Sequence, residues 1–372
     1  MPLIWCAISG HGYGHAAQVV PMLNALGVLV PGLTTILRTT VPASFFQDRL
    51  TIPWELSPVQ QDIGCIQDGP LRIDIDATWA AHQRFHKTWE ARLSNEIAAM
   101  QAISPALVIA DTPYLAIEAG SRARIPTVAL ASLTWDLVLK EYCHASDHAQ
   151  QQLIQRIRES YAKADMALRI IPAPNIDAFS KIIDIGPIAS PASPEQDRLA
   201  SALDLAPNEK TVLVGFGGIP LISLPLGHME QLRRYRFLFD GPVAPGYSRI
   251  HSTKTFPFSF KTLLASVDVI MTKPGYGTIV EAIALQLPVL YVRRYNFADE
   301  QPLVDYLHRY GRGIELSFDD FTQGRWQAAL QQSLDTPLPS SPPPPTGAAE
   351  AAAFISQQLR TFGTHRTDNL RS

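Results

Sequence analysis

The chain has 372 residues, more than one ordinary core of about 100–200 residues accounts for, so the length favours two domains. Hydrophobic residues make up 46% and charged residues 17%, values that exclude an intrinsically disordered chain. The formal net charge of −3 provides no basic surface for a polyanion, so a nucleic-acid partner is not expected. The cysteines, Cys6, Cys65 and Cys143, lack the paired spacing of a zinc site or a disulfide framework.

The amino-terminal segment is expected to be a strand rather than a targeting sequence. Residues 2–9 are apolar, but they lack the basic start and the small-residue cleavage site of a secretory signal. No apolar run reaches the ~20 residues that cross a bilayer, so any membrane contact would be peripheral. We therefore expect a cytoplasmic protein.

Apolar runs of strand length alternate with longer segments of helical period, which is typical of parallel βαβ units. In the first half, strands are predicted at residues 3–9, 33–38, 106–110, 127–131 and 166–171, and helices at 78–103 and 136–164. The pattern stops in the polar, proline-bearing stretch 187–207 and restarts with strands at 211–214, 235–239, 267–271 and 289–292. This interruption predicts a boundary between two α/β domains.

The carboxyl-terminal part is predicted to return to the first domain. Residues 337–345 contain six prolines and are therefore expected to be an extended connector. Residues 348–362 are alanine-rich and favour a helix, which would be marginal without a surface to pack on. The predicted organisation is a first domain at 1–188, a second at 189–336, a connector at 337–347, and at 348–372 a helix that packs on the first domain, followed by a tail.

The first predicted strand leads directly into a glycine-rich loop, SGHGYGHA at residues 9–16, which precedes a helix. Gly12 and Gly14 let a ligand approach the backbone, and the helix start offers free N–H groups to an anion. A dehydrogenase fingerprint does not fit, because the glycine spacing differs and the next strand ends in threonines rather than an acidic ribose ligand. His11 and His15 are therefore candidate functional residues, with a packing role as the alternative.

Two further glycine loops follow predicted strands in the second half. The loop GFGG at residues 215–218 is as typical of a structural turn as of a phosphate contact. The loop KPGYGTIVEA at 273–282 leads into a helix, and Thr278 with Glu281 fits a capping box that would start this helix near Gly277. Free N–H groups and the positive end of a helix dipole beside a glycine loop favour the binding of a diphosphate.

The third glycine loop belongs to a longer motif. The segment LLASVDVIMTKPGYGTIVEA at residues 263–282, with LPV at 287–289 and DEQ at 299–301, resembles the donor-binding signature of GT-B glycosyltransferases. It is most similar to the group that contains the N-acetylglucosamine transferase of peptidoglycan synthesis. The loop at residues 10–15 and the segment 133–142 also resemble the glycosyltransferase-like half of plant arabinokinases. The resemblance implies an α/β fold of two Rossmann-like domains facing across a cleft, the GT-B architecture.

The resemblance also implies roles for residues at matching positions. His15 matches the candidate general base, with His11 as the alternative in the same loop, and Asp111 matches an aspartate that orients the histidine in some plant members. Glu281 matches the acid that binds the ribose hydroxyls. The other implied donor contacts are Gly12, Gly14, Gly217, Gly218, Phe256 (or Phe258 in a shifted register), Lys273, Gly275, Tyr276, Gly277, Thr278, Glu300 and Gln301.

Several polar residues keep a second interpretation. Asp111 precedes a threonine and a proline and could instead cap a helix. Arg293 and Arg294 fit a phosphate or acceptor contact and equally a solvated surface pair. Asp74 and Asp76 resemble a metal-binding pair, but in an alternating segment both would simply share one solvent face. We therefore expect neither a metal site nor a cofactor.

The sequence thus favours a glycosyltransferase. It would move a sugar from a nucleotide sugar to a hydroxyl acceptor, with a uridine diphosphate sugar as the favoured donor. The reaction would need no metal and would use a histidine as base. Two other classes remain open. A nucleotide-sugar 2-epimerase would need additional acids in the cleft, and a non-catalytic nucleotide-sugar-binding module would need no base. The expected partners are the donor and an acceptor.

Overall fold

The computed structural model describes residues 2–217 and 224–368, with side chains described up to residue 361. The strands are β1 (Leu3–Ile8), β2 (Thr34–Arg38), β3 (Trp54–Ser57), β4 (Leu107–Asp111), β5 (Thr127–Ala131), β6 (Met166–Ile170), β7 (Ile182–Ile185), β8 (Lys210–Val214), β9 (Tyr235–Phe239), β10 (Ile250–Ser252), β11 (Val269–Thr272), β12 (Pro288–Tyr291) and β13 (Arg312–Glu315).

The helices connect these strands. They are α1 (Gly14–Leu29), α2 (Ala43–Phe46), α3 (Ile75–Lys87), α4 (Trp89–Ile103), α5 (Tyr114–Arg122), α6 (Trp135–Lys140), α7 (His148–Tyr161), α8 (Gln196–Ala202), α9 (Leu226–Gln231), α10 (Phe260–Ser266), α11 (Tyr276–Ala284), α12 (Glu300–Tyr310), α13 (Phe318–Gln323), α14 (Gln327–Asp335) and α15 (Gly347–Asp368), with a short 3-10 helix at Thr253–Thr255. In the ranges 2–217 and 224–368, no helix combines the length and the apolar character needed to cross a membrane.

The named strands form two parallel sheets. The first has the order β3-β2-β1-β4-β5-β6-β7 and the second the order β10-β9-β8-β11-β12-β13. The order reverses between β1 and β4 in one sheet and between β8 and β11 in the other. In open α/β sheets the loops after such strands diverge and leave a ligand-binding crevice at the carboxyl ends. The predicted α/β class with two Rossmann-like sheets is confirmed.

The central strands are apolar because helices cover both faces of each sheet. β4, with the sequence LVIAD, and β5, with TVALA, are buried at every position. Burial at β4 includes Asp111, its last residue, which has no exposed surface. The fold therefore places one carboxylate in the interior at the carboxyl end of a central strand, where the crevice opens.

The chain passes from the first sheet to the second through residues 186–195 and returns through residues 336–346. After the return, α15 packs along α1, and its residues Ala351, Ala352 and Ile355 are fully buried in the core that α1 shares. The carboxylate of Glu350 also accepts a hydrogen bond from the backbone N–H of Gly186, at 2.8 Å. The last helix thus contacts both the first sheet's layer of helices and the crossing to the second sheet.

Four local predictions were wrong. The segment 78–103 is not one helix but two, α3 and α4, separated at Thr88, and 136–164 likewise divides into α6 and α7. Asp74 is not on a strand, since its carboxylate caps α3 by accepting from the Ala77 N–H at 2.8 Å. α11 begins at Tyr276 after Gly275, with no side-chain cap, so the capping box does not form.

Candidate functional site

A cavity of about 160 Å³ lies between the loops that follow β1 and β11, at the two points where strand order reverses. Its lining combines glycine backbone, polar side chains and apolar side chains. The first half of the chain contributes His11, Gly12, Tyr13, Gly14, His15, Gln18, Gln67, Ser132 and Leu133, and the second half contributes Gly217, Thr272, Lys273, Gly275, Tyr276, Gly277, Thr278, Arg294, Phe297 and Asp299.

His15 and Asp111 form a buried pair at one side of the cavity. Nδ1 of His15 lies 3.0 Å from one oxygen of Asp111 and 3.3 Å from the other. α1 places the histidine in its first turn, and β4 places the aspartate at its carboxyl end, beside the last residue of β1. Because the side chain of Asp111 contacts His15, and α5 begins later without a side-chain cap, the alternative role as a helix cap is excluded.

The environment of His15 favours its protonated form. Burial alone would lower the pKa of His15, but the negative charge of Asp111 and the hydrogen bond to it outweigh burial, so the pKa is raised. The charges of Asp62 and Asp299 act in the same direction. Such a histidine can accept a proton and hold it as a stabilised imidazolium, which is what a general base needs.

His11 lines the same cavity in a different electrostatic environment. Burial lowers its pKa to about 3, and the nearby charges of His15, Lys273 and Arg294 add to this effect. Its ring meets that of Trp135 edge-on at a centroid distance of 5.2 Å, and its Nε2 lies 3.4 Å from Nε2 of Gln67. His11 is therefore neutral near pH 7 and can donate or accept a hydrogen bond but carries no charge.

Asp62 is a buried carboxylate behind the histidines that the sequence did not identify. Its side chain accepts a hydrogen bond of 2.7 Å from Nε1 of Trp135, whose ring contacts both His11 and His15. Burial raises the pKa of Asp62 to about 6, although the hydrogen bond from Trp135 opposes the rise. Asp62 lies in an irregular loop after β3, where no motif or period marks it.

The opposite side of the cavity is built from the start of α11. Gly275 precedes the helix in an extended conformation, and Gly277 and Thr278 lie in its first turn. Because α11 has no side-chain cap, its first N–H groups are available to an anion, and the helix dipole favours one. Burial lowers the pKa of Lys273 to about 7, and the charge of Arg294 adds to this effect.

Arg294 and Asp299 complete the charged lining. The guanidinium of Arg294 is almost fully buried, with its Nε 2.6 Å from Glu300 and its carbon 3.9 Å from the ring centre of Phe297. It is therefore not half of a solvated surface pair. Asp299 precedes α12 without capping it, and its Oδ1 is buried and accepts no hydrogen bond from the described residues. Burial raises its pKa to about 6.

Other predicted donor residues lie outside the cavity. Glu300 is buried in the ion pair with Arg294. Gln301 is exposed, where it binds Arg293 and Asp305. Phe256 is half-buried against the core with its ring against His251.

Glu281, the implied ribose ligand, does not line the cavity either. It accepts hydrogen bonds from Lys261 at 2.7 Å and from the Ser190 N–H at 3.1 Å, while its second oxygen is buried without a partner among the described residues. Gly217 does line the cavity, whereas Gly218 lies outside the described residues.

The two halves of the chain touch around the cavity. Tyr276 contributes to the lining, and its hydroxyl donates to the carbonyl of Ile171 at 2.8 Å and accepts from the Ile188 N–H at 3.1 Å. The hydroxyl of Tyr142 donates to the carbonyl of Asn296 at 2.7 Å, next to Phe297, which packs into the core of the first half. Contacts between the loops of both sheets thus border the cavity.

A segment that we call the cleft loop, residues 58–74, also crosses between the halves. It connects β3 to α3 and narrows to a hairpin in which Gln67 pairs with Ile73. Gln67 lines the cavity, and Leu71 at the hairpin tip packs against the core around the second sheet.

Within the described residues, no cluster of three or more histidine, cysteine or acidic side chains could hold a metal ion.

Sequence comparison finds one partial relative and no matching family model. No protein-family model matches the chain. An L-arabinokinase of Arabidopsis thaliana is 25% identical over 335 residues, covering 88% of this chain but 32% of that protein, so the chain spans about a third of the length of the curated relative it matches.

Solved structures of glycosyltransferases are similar over nearly the whole chain. The glycosyltransferase of kitacinnamycin superposes with a TM-score of 0.62 at 16% identity, over 99% of this chain and 98% of that one. The calicheamicin glycosyltransferase CalG4 gives 0.61 at 16% identity, over 100% and 98%. A Medicago truncatula protein complexed with UDP-glucose gives 0.61 at 13% identity, over 99% and 98%. The chain therefore has the GT-B fold of these glycosyltransferases.

Proposed function

We propose that the chain is a metal-independent glycosyltransferase that moves a sugar from a nucleotide sugar, first of all a uridine diphosphate sugar, to a hydroxyl acceptor. The observation that carries the proposal is the His15–Asp111 pair, which faces an uncapped helix start across one cavity. Two of the similar structures are described as complexes with a UDP-sugar, one with UDP-glucose and one with UDP-2-fluoroglucose. This supports a uridine diphosphate donor for this chain as well.

In this proposal His15 removes the proton of the acceptor hydroxyl. Asp111 accepts a hydrogen bond from Nδ1–H, which leaves Nε2 unprotonated and able to take that proton. As the proton arrives, the carboxylate stabilises the imidazolium that forms. The pair therefore supplies the base while keeping its charge balanced in a buried site.

The leaving diphosphate would bind on the opposite side of the cavity. The N–H groups at the start of α11, together with the side chains of Lys273 and Arg294, supply donors and positive charge where negative charge develops. Arg294 is held in place by Glu300, so it needs little rearrangement to do so. In this proposal these groups take the place of a metal ion in stabilising the diphosphate.

The test is the shift in melting temperature that uridine diphosphate causes, measured with and without a chelator. We expect a shift that the chelator does not change and that Lys273→Met reduces. Lys87→Met, which removes an exposed lysine on α3, is the matched control and should leave the shift unchanged. Absence of a shift with every nucleoside diphosphate tried would refute the donor site.

A nucleotide-sugar 2-epimerase is the second candidate, favoured by one observation. Asp299 is an acidic cavity residue whose buried Oδ1 accepts no hydrogen bond from the described residues and lies 3.9 Å from the Arg294 guanidinium. An epimerase needs an acid or base that exchanges a carbon-bound proton. Incubating the protein with a UDP-N-acetylhexosamine in heavy water separates the two reactions. Deuterium at C2 of the sugar would establish the epimerase, whereas transfer or hydrolysis without exchange supports the transferase. If the protein catalyses neither deuterium exchange nor turnover, it is a nucleotide-sugar-binding module.

A further inference from the structure

The acceptor side of the cavity has a polar lining that the proposed reaction leaves unused. Gln18 and Ser132 are both buried there and hydrogen bond to each other at 3.3 Å. Gln67 reaches in from the cleft loop, and its Oε1 is buried without a partner among the described residues. A buried amide oxygen left unpaired costs free energy, so a ligand hydroxyl that donates to it would be favoured.

The cleft loop restricts how large an acceptor can be. Gln67 lies over His11, and Leu71, four residues further, is packed on the second half of the molecule. The cavity measures about 160 Å³ and is partly open to solvent, and this volume is below the roughly 300–1,000 Å³ of pockets that hold drug-sized ligands. The donor diphosphate must share that space, so little remains for the acceptor while the loop is in place.

The side chains that the first half of the chain contributes to the cavity are mainly polar. Apolar ligands are bound by pockets with mainly hydrophobic and aromatic walls and few polar groups. Here Leu133 and the partly exposed Tyr13 provide the apolar share on the acceptor side. The remaining side chains are two histidines, two glutamines and a serine, which offer several donors and acceptors at once.

We infer that the acceptor is a small compound with several hydroxyl groups, a monosaccharide or a cyclic polyol, bound by Gln18, Gln67 and Ser132 next to His15. This inference rests on the proposed function, since it identifies the molecule whose hydroxyl His15 deprotonates. Several hydroxyls can pair with Oε1 of Gln67 and with the Gln18–Ser132 pair at once, whereas an apolar phenol would leave Oε1 of Gln67 buried and unpaired.

The test is saturation-transfer NMR on the full-length protein in the presence of uridine diphosphate. The probes are glucose, arabinose and myo-inositol on one side and 4-nitrophenol and a stilbene on the other. We expect binding of at least one sugar or polyol, weakened about two- to tenfold by Gln67→Leu and by Ser132→Ala. Gln155→Leu, on the exposed surface of α7, is the matched control and should bind as the wild type does.

The outcomes separate this inference from the proposed function. Binding of the phenol or stilbene without any sugar or polyol, or sugar binding that neither variant weakens, overturns the inference. If uridine diphosphate shifts the melting temperature while no sugar or polyol binds, the acceptor class is wrong and the transferase proposal stands. If no nucleotide binds, the proposed function fails and the acceptor assignment fails with it.

Discussion

His15 and His11 occupy one loop but have opposite electrostatic surroundings. The carboxylate of Asp111 raises the pKa of His15, whereas burial and neighbouring cations lower the pKa of His11 to about 3. A residue that must take up a proton near neutral pH is favoured by the first environment and disfavoured by the second. The loop sequence left the choice between the two histidines open, and on these grounds we propose His15 as the base.

We predict that His15→Ala lowers kcat of sugar transfer by ~10²–10⁴, the usual contribution of a general base. Affinity for uridine diphosphate should stay near the wild-type value, because the proposed phosphate site lies on the other side of the cavity. His11→Ala should have a smaller effect on kcat. The measurements are steady-state kinetics and calorimetric titration of both variants. A larger loss in His11→Ala would assign the base to His11.

The pH dependence of transfer tests the pair directly. The base must be unprotonated, so the rate should rise with pH through the pKa of His15. Asp111→Asn removes the main cause that raises this pKa and leaves the lowering effect of burial, so the acidic limb of the profile should move to lower pH, together with a loss of kcat. If the acidic limb of the pH–rate profile does not move in Asp111→Asn, a group other than His15 controls the rate in that pH range.

Glu281 is paired with residues of the chain, although the resemblance implies that it binds the donor ribose. It holds Lys261 and the Ser190 N–H, so a ribose would have to share or displace these contacts. If Glu281 binds the ribose, Glu281→Gln should weaken uridine diphosphate binding about ten- to a hundredfold. Lys261→Met leaves the carboxylate and should keep affinity within about twofold. If Glu281→Gln binds uridine diphosphate with wild-type affinity, Glu281 is not a ribose ligand, and its role is to hold Ser190 in the crossing between the sheets.

The site could be predicted where its residues follow buried strands and could not where they lie in irregular loops. His11, His15 and Asp111 come directly after β1 or at the end of β4, and the carboxyl ends of neighbouring parallel strands meet. Asp299 was missed in favour of Glu300, because the loop before α12 decides which carboxylate turns inward. Gln67 was missed because its position depends on the tertiary path of the cleft loop, which no local pattern encodes.

At the level of elements, the strands that the sequence missed are the edges of the two sheets. β3 and β7 border the first sheet, and β10 and β13 border the second. An edge strand is covered less completely, so it needs no continuous apolar run, and sequences such as WELS and RGIE show none. The central strands were predicted because burial on both faces requires the apolar runs that the sequence displays.

The predictions of helix boundaries were wrong for a different reason. The period through 78–103 continues across Thr88, so nothing in the spacing marks the break between α3 and α4. The alternation around Asp74 suggested a strand, although an aspartate that precedes a helical segment is also a common cap. At α11 the glycines before Thr278 start the helix earlier than a capping box would, and Glu281 becomes free to face Lys261.

The contact between α15 and α1 predicts a strong dependence of stability on the last helix. Ile355 is fully buried, so Ile355→Ala should lower the free energy of unfolding by about 2–4 kcal/mol in urea denaturation. Gln357→Ala, on the exposed face of the same helix, should change it by less than about 0.5 kcal/mol. Removal of the chain from Gly347 onward should destabilise further. Equal stabilities in all these proteins would mean that α15 contributes nothing to the fold.

For the molecule as a whole, the cleft loop should keep water away from the reacting groups. Leu71→Asp places a charge in the apolar contact with the second half and should open the loop. Water then reaches the donor, so release of free sugar from UDP-glucose should rise severalfold relative to transfer. Arg72→Gln, an exposed position on the same hairpin, is the control. An unchanged ratio of hydrolysis to transfer would show that the loop does not exclude water.

The two crossings of the chain between the sheets lie side by side. The N–H of Gly347, at the end of the return crossing, donates to the carbonyl of Pro187 in the first crossing, at 3.0 Å, and Glu350 binds the neighbouring Gly186. Two adjacent tethers permit a swing about the line that joins them but restrain twisting and sliding. If the halves open about this line, the distance across the cavity from Tyr13 to Thr278 measures the angle of opening.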